Sequence, residues 1–145
     1  MTGSVETKKF YFNRPKKAMV LAAGLGTRLR PITNKTPKPL VKVAKRSLLD
    51  HAIDHLVACG VESVVVNTHY LSGQIERHLA RRQDVRVIIS SEKTGLLETG
   101  GGVKKAIENF GNEPFYVLNA DVFWLNGPTL ALNRMADQWD ETKMD

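Results

Sequence analysis

From residue 17 onward, short apolar runs alternate with amphipathic stretches, and each change of period marks a predicted element. AMVLA closes a strand predicted over 17–22, SVVVN forms one over 63–67, VRVIIS over 85–90 and FYVLN over 115–119. These runs are rich in β-branched residues and show little polar alternation, as strands covered on both faces do. Between the first two strands, Leu48, Leu49, Ala52, Ile53, Leu56 and Val57 recur on one stripe of a helix predicted over 47–59. Ser47 is suited to cap that helix and Gly60 to stop it. Further helices are predicted over 72–82, 103–110 and 128–139, the last carrying Leu130, Leu132, Met135 and Trp139, with Pro128 in its first turn. Strands alternating with helices predict an α/β domain: a mainly parallel sheet with helices on both faces, in three layers.

The glycines interrupt this pattern where chemistry is expected. Directly after the first strand, residues 21–40 read LAAGLGTRLRPITNKTPKPL. Gly24 and Gly26 let the backbone approach a ligand closely, Thr27 and Arg28 follow, and Lys38 stands between two prolines. Freed amides with a guanidinium and an ammonium aimed into one space suit a chain of phosphates. Two common phosphate loops are excluded. A third glycine is missing where Leu29 stands, and no Gly-Lys-Ser/Thr closes a P-loop. A second glycine segment, LLETGGG over 96–102, precedes the helix predicted from residue 103. Three glycines are costly inside a helix, so they are expected ahead of it, as backbone lying flat against a base or sugar.

Composition narrows the function classes. The 145 residues fit one domain, and 42% hydrophobic content is enough for a core. No apolar run is long enough to span a bilayer. The first 16 residues lack the apolar middle of a secretion signal, so they read as a poorly ordered extension and the protein as cytoplasmic. Phe10, Tyr11 and Phe12 are the part of that extension able to pack locally. Cys59, the single cysteine, excludes an intramolecular disulfide. A net charge of +6 favours an anionic partner. The basic residues are scattered, with no aromatic-interleaved strand, which argues against nucleic acid. His51 and His55 share the i, i+4 spacing of some zinc sites, but Ala52 replaces the expected glutamate and no third ligand is evident.

Gly-x-Gly-Thr-Arg-x-x-Pro followed by Thr36, Pro37, Lys38, Pro39 and Leu40 resembles the sugar-1-phosphate nucleotidyltransferases, the pyrophosphorylases that make nucleotide sugars. The resemblance covers about residues 17–145 and implies a Rossmann-like nucleotide-diphospho-sugar transferase fold, represented by its nucleotide-binding half and so truncated. It also implies transfer of a nucleotidyl group from a nucleoside triphosphate to a sugar-1-phosphate, with Mg²⁺ as cofactor. Ala22, Ala23, Gly24, Gly26, Thr27 and Arg28 would then hold the nucleotide, while Arg28 and Lys38 act on its phosphates. Asp121, just past the fourth strand, would bind the metal. Glu98, Gly100, Gly101 and Asn119 would face sugar and base, with the base slot near residues 22–24 and 90–92. Glu98 is equally suited to capping the next helix. TPKPLV, LETGGG and the Asn119, Asp121, Trp124 stretch most resemble N-acetylmuramate-1-phosphate uridylyltransferases, with mannose-1-phosphate guanylyltransferases as the alternative. A catalytically silent nucleotide-sugar-binding domain is the reading from another class. Neither base, sugar nor oligomeric state can be read from these residue types. Lys45 stands where relatives carry glycine or proline, so a strained or different turn is expected there.

Overall fold

The computed structural model describes residues 14–140 and 142–144. In chain order the elements are β1 (Lys17–Leu21), β2 (Lys42–Val43), β3 (Arg46–Ser47), α1 (Leu48–Ala58), β4 (Ser63–Thr68) and α2 (Ser72–Leu79). They continue with β5 (Arg86–Ser91), α3 (Thr99–Ala106), β6 (Tyr116–Asn119) and α4 (Ala131–Asp137). Three single 3₁₀ turns, Thr27–Leu29, Ile32–Asn34 and Lys38–Leu40, fill the long connection after β1.

β5, β4, β1 and β6 form one sheet in that order, every pair parallel. Met19 lies at the centre, in register with Val65 on one side and Val117 on the other. The chain steps outward from β1 to β4 to β5, then returns to add β6 on the far side of β1. The order therefore reverses between β1 and β6, and the carboxyl ends of these strands open a crevice there.

Alternate strand residues serve opposite faces. Ala18, Val20, Val64 and Val66 pack with Leu49, Ile53 and Leu56 of α1, Ile75 and Leu79 of α2, and Leu132 and Ala136 of α4. Met19 and Val65 meet Ala106 and Phe110 on the face covered by α3. Leu49, Ile53 and Leu56 are wholly buried, and each contributes about 2 kcal/mol of burial free energy.

Several boundaries depart from the sequence expectations. α1 begins as predicted, with the Ser47 hydroxyl accepting the Asp50 N–H at 3.0 Å. α2 stops at Leu79, where Arg82 turns back into a cluster of carboxylates. α4 begins at Ala131, not at Pro128, because the Asn126 Oδ1 accepts the Ala131 N–H at 2.9 Å and sets the first turn. Met135, expected on its apolar stripe, is 54% exposed. α3 includes Gly100, Gly101 and Gly102, which the sequence placed ahead of the helix. The short strands β2 and β3 were not expected, but the strained turn expected at Lys45 is present: the central Ala44 and Lys45 of the hairpin both have positive φ, the signature of a type I′ turn. Residues 14–16, read as part of a poorly ordered extension, are packed: Arg14 makes a bidentate contact with Asp137, and Pro15 is buried. The aromatic run at residues 10–12 lies outside the described residues.

A charged cluster fixes α2 against α1. Arg82 donates to Asp50, Asp54 and Asp84, and His78 Nε2 meets Asp50 Oδ2 at 2.8 Å. Burial pushes the Asp50 carboxyl up, but the Ser47 hydroxyl, His78 and Arg82 together hold it below its ordinary value. Burial likewise works against the Arg82 guanidinium, yet its hydrogen bonds to Asp84 and Asp54 raise it well above its usual range.

Candidate active site

β1 is followed by the small residues Ala22, Ala23 and Gly24, so the chain leaves the sheet without bulk. Ala22 and Ala23 are buried at the mouth of the crevice, and Ala120 N–H donates to Leu21 O at 3.0 Å, fastening the ends of β1 and β6 together. The loop that follows is held from below. Gly26 has φ 65°, and a Cβ there would lie 3.0 Å from Thr33 Cγ2 and 3.1 Å from Lys38 Cβ. Only glycine meets both conditions. Buried Thr33 donates its hydroxyl to Gly26 O at 2.7 Å, and Tyr70 Oη donates to Thr33 O at 2.9 Å. Gln74 of α2 donates to Lys35 O at 2.9 Å, so α2 braces the whole connection. Gly24, by contrast, has open space where a Cβ would be.

Pro39 is buried and anchors the 3₁₀ turn that presents Lys38. The Lys38 ammonium pairs with the Asp121 carboxylate, which stands just past β6. Both side chains are part-exposed toward the crevice. Arg28 is exposed in the 3₁₀ turn Thr27–Leu29.

Two adjoining hollows result. A cleft of about 540 Å³ is lined by Ala22, Ala23, Gly24, Lys38, Asn67, Leu97, Glu98, Gly100, Asn119 and Asp121, among others. A second hollow of about 370 Å³ is lined by Gly24, Gly26, Thr27, Arg28, Lys38 and Asp121. Gly24, Lys38, Leu96 and Asp121 belong to both, so the two are continuous. The structure thus gathers the expected residues into one site, except Gly101. That glycine faces Leu97 instead, where a Cβ would lie 3.2 Å from Leu97 Cβ. Glu98 occupies the N-cap position of α3, but its side chain makes no capping hydrogen bond.

One of the three glycines of α3 is required by packing, whereas a Cβ on Gly100 would meet nothing within 4 Å. A Cβ on Gly102 would lie 2.9 Å from Asn67 Nδ2 and 3.0 Å from Glu92 Oε1. Asn67 was not among the expected site residues, whereas Glu92 falls at the edge of the base slot expected near residues 90–92. The available signal was positional: each is a polar residue at the carboxyl end of an apolar strand.

His51 and His55 serve the segment after Asp121. The His55 ring stacks on Trp124 with centroids 4.1 Å apart, its Nε2 lies 3.2 Å from Trp124 O, and its Nδ1 accepts from Asn126 Nδ2 at 3.0 Å. His51 Nε2 donates to Val43 O at 2.8 Å, and its ring meets Phe123 edge-on.

Among the described residues, no group of three or more His, Cys, Asp or Glu side chains is placed to hold a metal ion. Asp121 offers a single part-exposed carboxylate beside the phosphate-sized hollow. That donor set suits a hard divalent cation sharing ligands with phosphate oxygens and water, as Mg²⁺ does, and not an all-protein cage.

Residues 17–144 match the nucleotidyl transferase family. The chain belongs to that family. It is 48% identical over 135 residues to N-acetylmuramate alpha-1-phosphate uridylyltransferase from Caulobacter vibrioides, an alignment covering 90% of this chain and 56% of that protein. The enzyme of the same name from Neisseria meningitidis is 43% identical, over 73% of this chain and 47% of its own length. Mannose-1-phosphate guanylyltransferase catalytic subunit beta from Drosophila melanogaster is 41% identical, over 73% of this chain and 30% of its own. Among solved structures, UDP-glucose pyrophosphorylase from Acinetobacter baumannii superposes with a TM-score of 0.70 at 27% identity, covering 79% of this chain and 48% of that one. CTP:phosphocholine cytidylyltransferase from Streptococcus pneumoniae gives 0.61 at 33% identity, covering 75% and 46%. The chain thus spans about half the length of the uridylyltransferases it matches. No helix among the described residues is long and apolar enough to cross a membrane.

Proposed function

We propose that this protein binds a nucleoside triphosphate with Mg²⁺ and takes part in transfer of its nucleotidyl group to a sugar-1-phosphate, uridylyl transfer from UTP being the specific reading. The observation that carries it is the convergence of Arg28, Lys38 and Asp121 on one hollow beside a nucleoside-sized cleft at the reversal of strand order. Preference for the uridylyl group rests on the two bacterial uridylyltransferases among its relatives. Guanylyl transfer to mannose-1-phosphate is the alternative that its eukaryotic relatives suggest.

In this reaction an oxygen of the sugar-1-phosphate attacks the α-phosphorus. A new P–O bond forms as the bond from the α-phosphorus to the bridging β-phosphate oxygen breaks, and pyrophosphate leaves. The attacking phosphate is already an anion, so catalysis requires alignment and charge neutralisation and no general base. Backbone at Gly24 and Gly26, with Thr27 and Arg28, receives the β- and γ-phosphates, and the Arg28 guanidinium is suited to bidentate contact. Lys38 neutralises charge at the α-phosphoryl group. Asp121 would hold the metal, which when bound would screen charge between the two substrates' phosphates. Because Lys38 and Asp121 pair with each other in the free protein, loading the site exchanges that contact for contacts to phosphate and metal. Glu98, Gly100 and Asn119 face the nucleoside and sugar end.

Thermal-shift measurements with UTP, GTP, CTP and dTTP, each with and without Mg²⁺, combined with pyrophosphate release from sugar-1-phosphates, test the reading. Stabilisation by one nucleotide only when metal is present, with pyrophosphate release, supports it. Binding without release assigns a nucleotide-binding domain that is silent alone. Absence of stabilisation by every triphosphate refutes it.

A further inference from the structure

The floor of the cleft is a polar chain that crosses the sheet. Ala22 N–H donates to Asn67 Oδ1, Asn67 Nδ2 donates to Glu92 Oε1, and Leu97 N–H donates to Glu92 Oε2, each at 2.8 Å. Asn67 is the penultimate residue of β4 and is 4% exposed; Glu92 follows β5 and is 1% exposed. Ala22, directly after β1, and Leu97, in the connection from β5 to α3, both line the cleft. A buried carboxylate is expensive, and here both its oxygens are committed to amide donors. Its main chain is fixed as well: Glu92 N–H donates to Thr68 O, and Glu92 O accepts from His69 Nδ1, both at 2.8 Å.

We propose that Asn67 and Glu92 are positioning residues that hold these two segments of the cleft lining at the spacing a nucleoside requires. This rests on the nucleotide-binding reading above. The polarity of the chain supports it. Both ends are backbone N–H donors, so the central pair must present an acceptor outward at each end and close on itself with one donor. An amide beside a carboxylate does this. Gly102 completes the arrangement, since any side chain there would drive into both groups.

The same logic supplies the test. In E92Q the new amide can accept only one of the two donors facing it, and its NH₂ is turned against the other. In N67D two carboxylates face one another. In N67D/E92Q the amide at 92 donates inward to the carboxylate at 67, and both outward acceptors return. Binding of the triphosphate that best stabilises the wild type is measured by titration calorimetry with Mg²⁺, beside binding of inorganic tripolyphosphate. Exchange of the Leu97 amide is followed by NMR without ligand.

E92Q is expected to weaken nucleotide binding about tenfold, the loss of one buried acceptor, and to speed Leu97 exchange. Tripolyphosphate binding stays as in the wild type, because the glycine loop is braced separately by Thr33 and Tyr70. N67D/E92Q restores both nucleotide affinity and amide protection. The proposal is overturned if E92Q keeps wild-type affinity and a protected Leu97 amide, or if the folded double variant is no better than E92Q. A general loss, with tripolyphosphate binding falling equally, also overturns it. A wild type that binds no triphosphate refutes the functional reading alone, since Leu97 exchange still reports whether the pair holds the two segments.

Discussion

Gly24 and Gly26 look equivalent as a Gly-x-Gly pair, yet the structure assigns them different duties, and replacing each with alanine separates them. Gly26 has φ 65°, a conformation that costs an L-residue about 1 to 2 kcal/mol. Its new methyl would also sit 3.0 Å from Thr33 Cγ2 and 3.1 Å from Lys38 Cβ, closer than side chains normally pack. Thr33 is buried and held by Tyr70, so it yields poorly, and overpacking adds about 1 kcal/mol. G26A should therefore lose about 2 to 3 kcal/mol in urea denaturation, with Tm falling by about 8 °C. At Gly24 an added methyl meets nothing within 4 Å. G24A should retain wild-type stability within about 0.5 kcal/mol, yet weaken triphosphate binding, because the methyl projects from the lining shared by both hollows. Equal stability losses in the two variants, or a G26A protein as stable as the wild type, would refute this division of roles.

K38M should lower turnover about a hundredfold in the active protein while changing nucleotide KM much less, since its charge matters most as the α-phosphoryl group transfers; equal effects on both would contradict that role. The same substitution frees Asp121 from its ammonium partner, so Mn²⁺ binding without nucleotide should tighten in electron paramagnetic resonance titrations, and unchanged binding would argue against Asp121 as the metal carboxylate. The Asp50 carboxyl is held below its ordinary value of 3.8 in the folded protein. Its stabilising contribution is therefore present above about pH 4 and lost as pH falls below it. D50N should cost about 2 kcal/mol at neutral pH and flatten the acid limb of a Tm-against-pH curve. Y70F, which leaves Thr33 O without its donor, should cost about 1 kcal/mol and weaken tripolyphosphate binding, both measurable by calorimetry.

The sequence alone determined the parallel α/β frame, because buried strands and one-sided helices announce themselves through local periodicity. Ser47 and Gly60 bounded α1 correctly for the same reason: helix caps are short-range chemistry. The glycine loop and Lys38 stood out by the composition of their turn, whereas Asp121 was singled out only through the family resemblance; the structure places all of them on one hollow. Tertiary structure decided the rest. α3 keeps Gly102 because Asn67, in β4, and Glu92, just after β5, press against it. α4 starts late because Asn126 caps Ala131, and the β2–β3 hairpin forms around Ala44 and Lys45 despite their unfavourable φ. The Asn67 and Glu92 bridge is the clearest case. Twenty-five residues separate the two in the chain, and only parallel pairing of β4 with β5 brings their side chains together beneath the cleft. Local propensity encodes where the backbone turns, whereas a buried polar contact depends on partners that the chain delivers only once the sheet has formed.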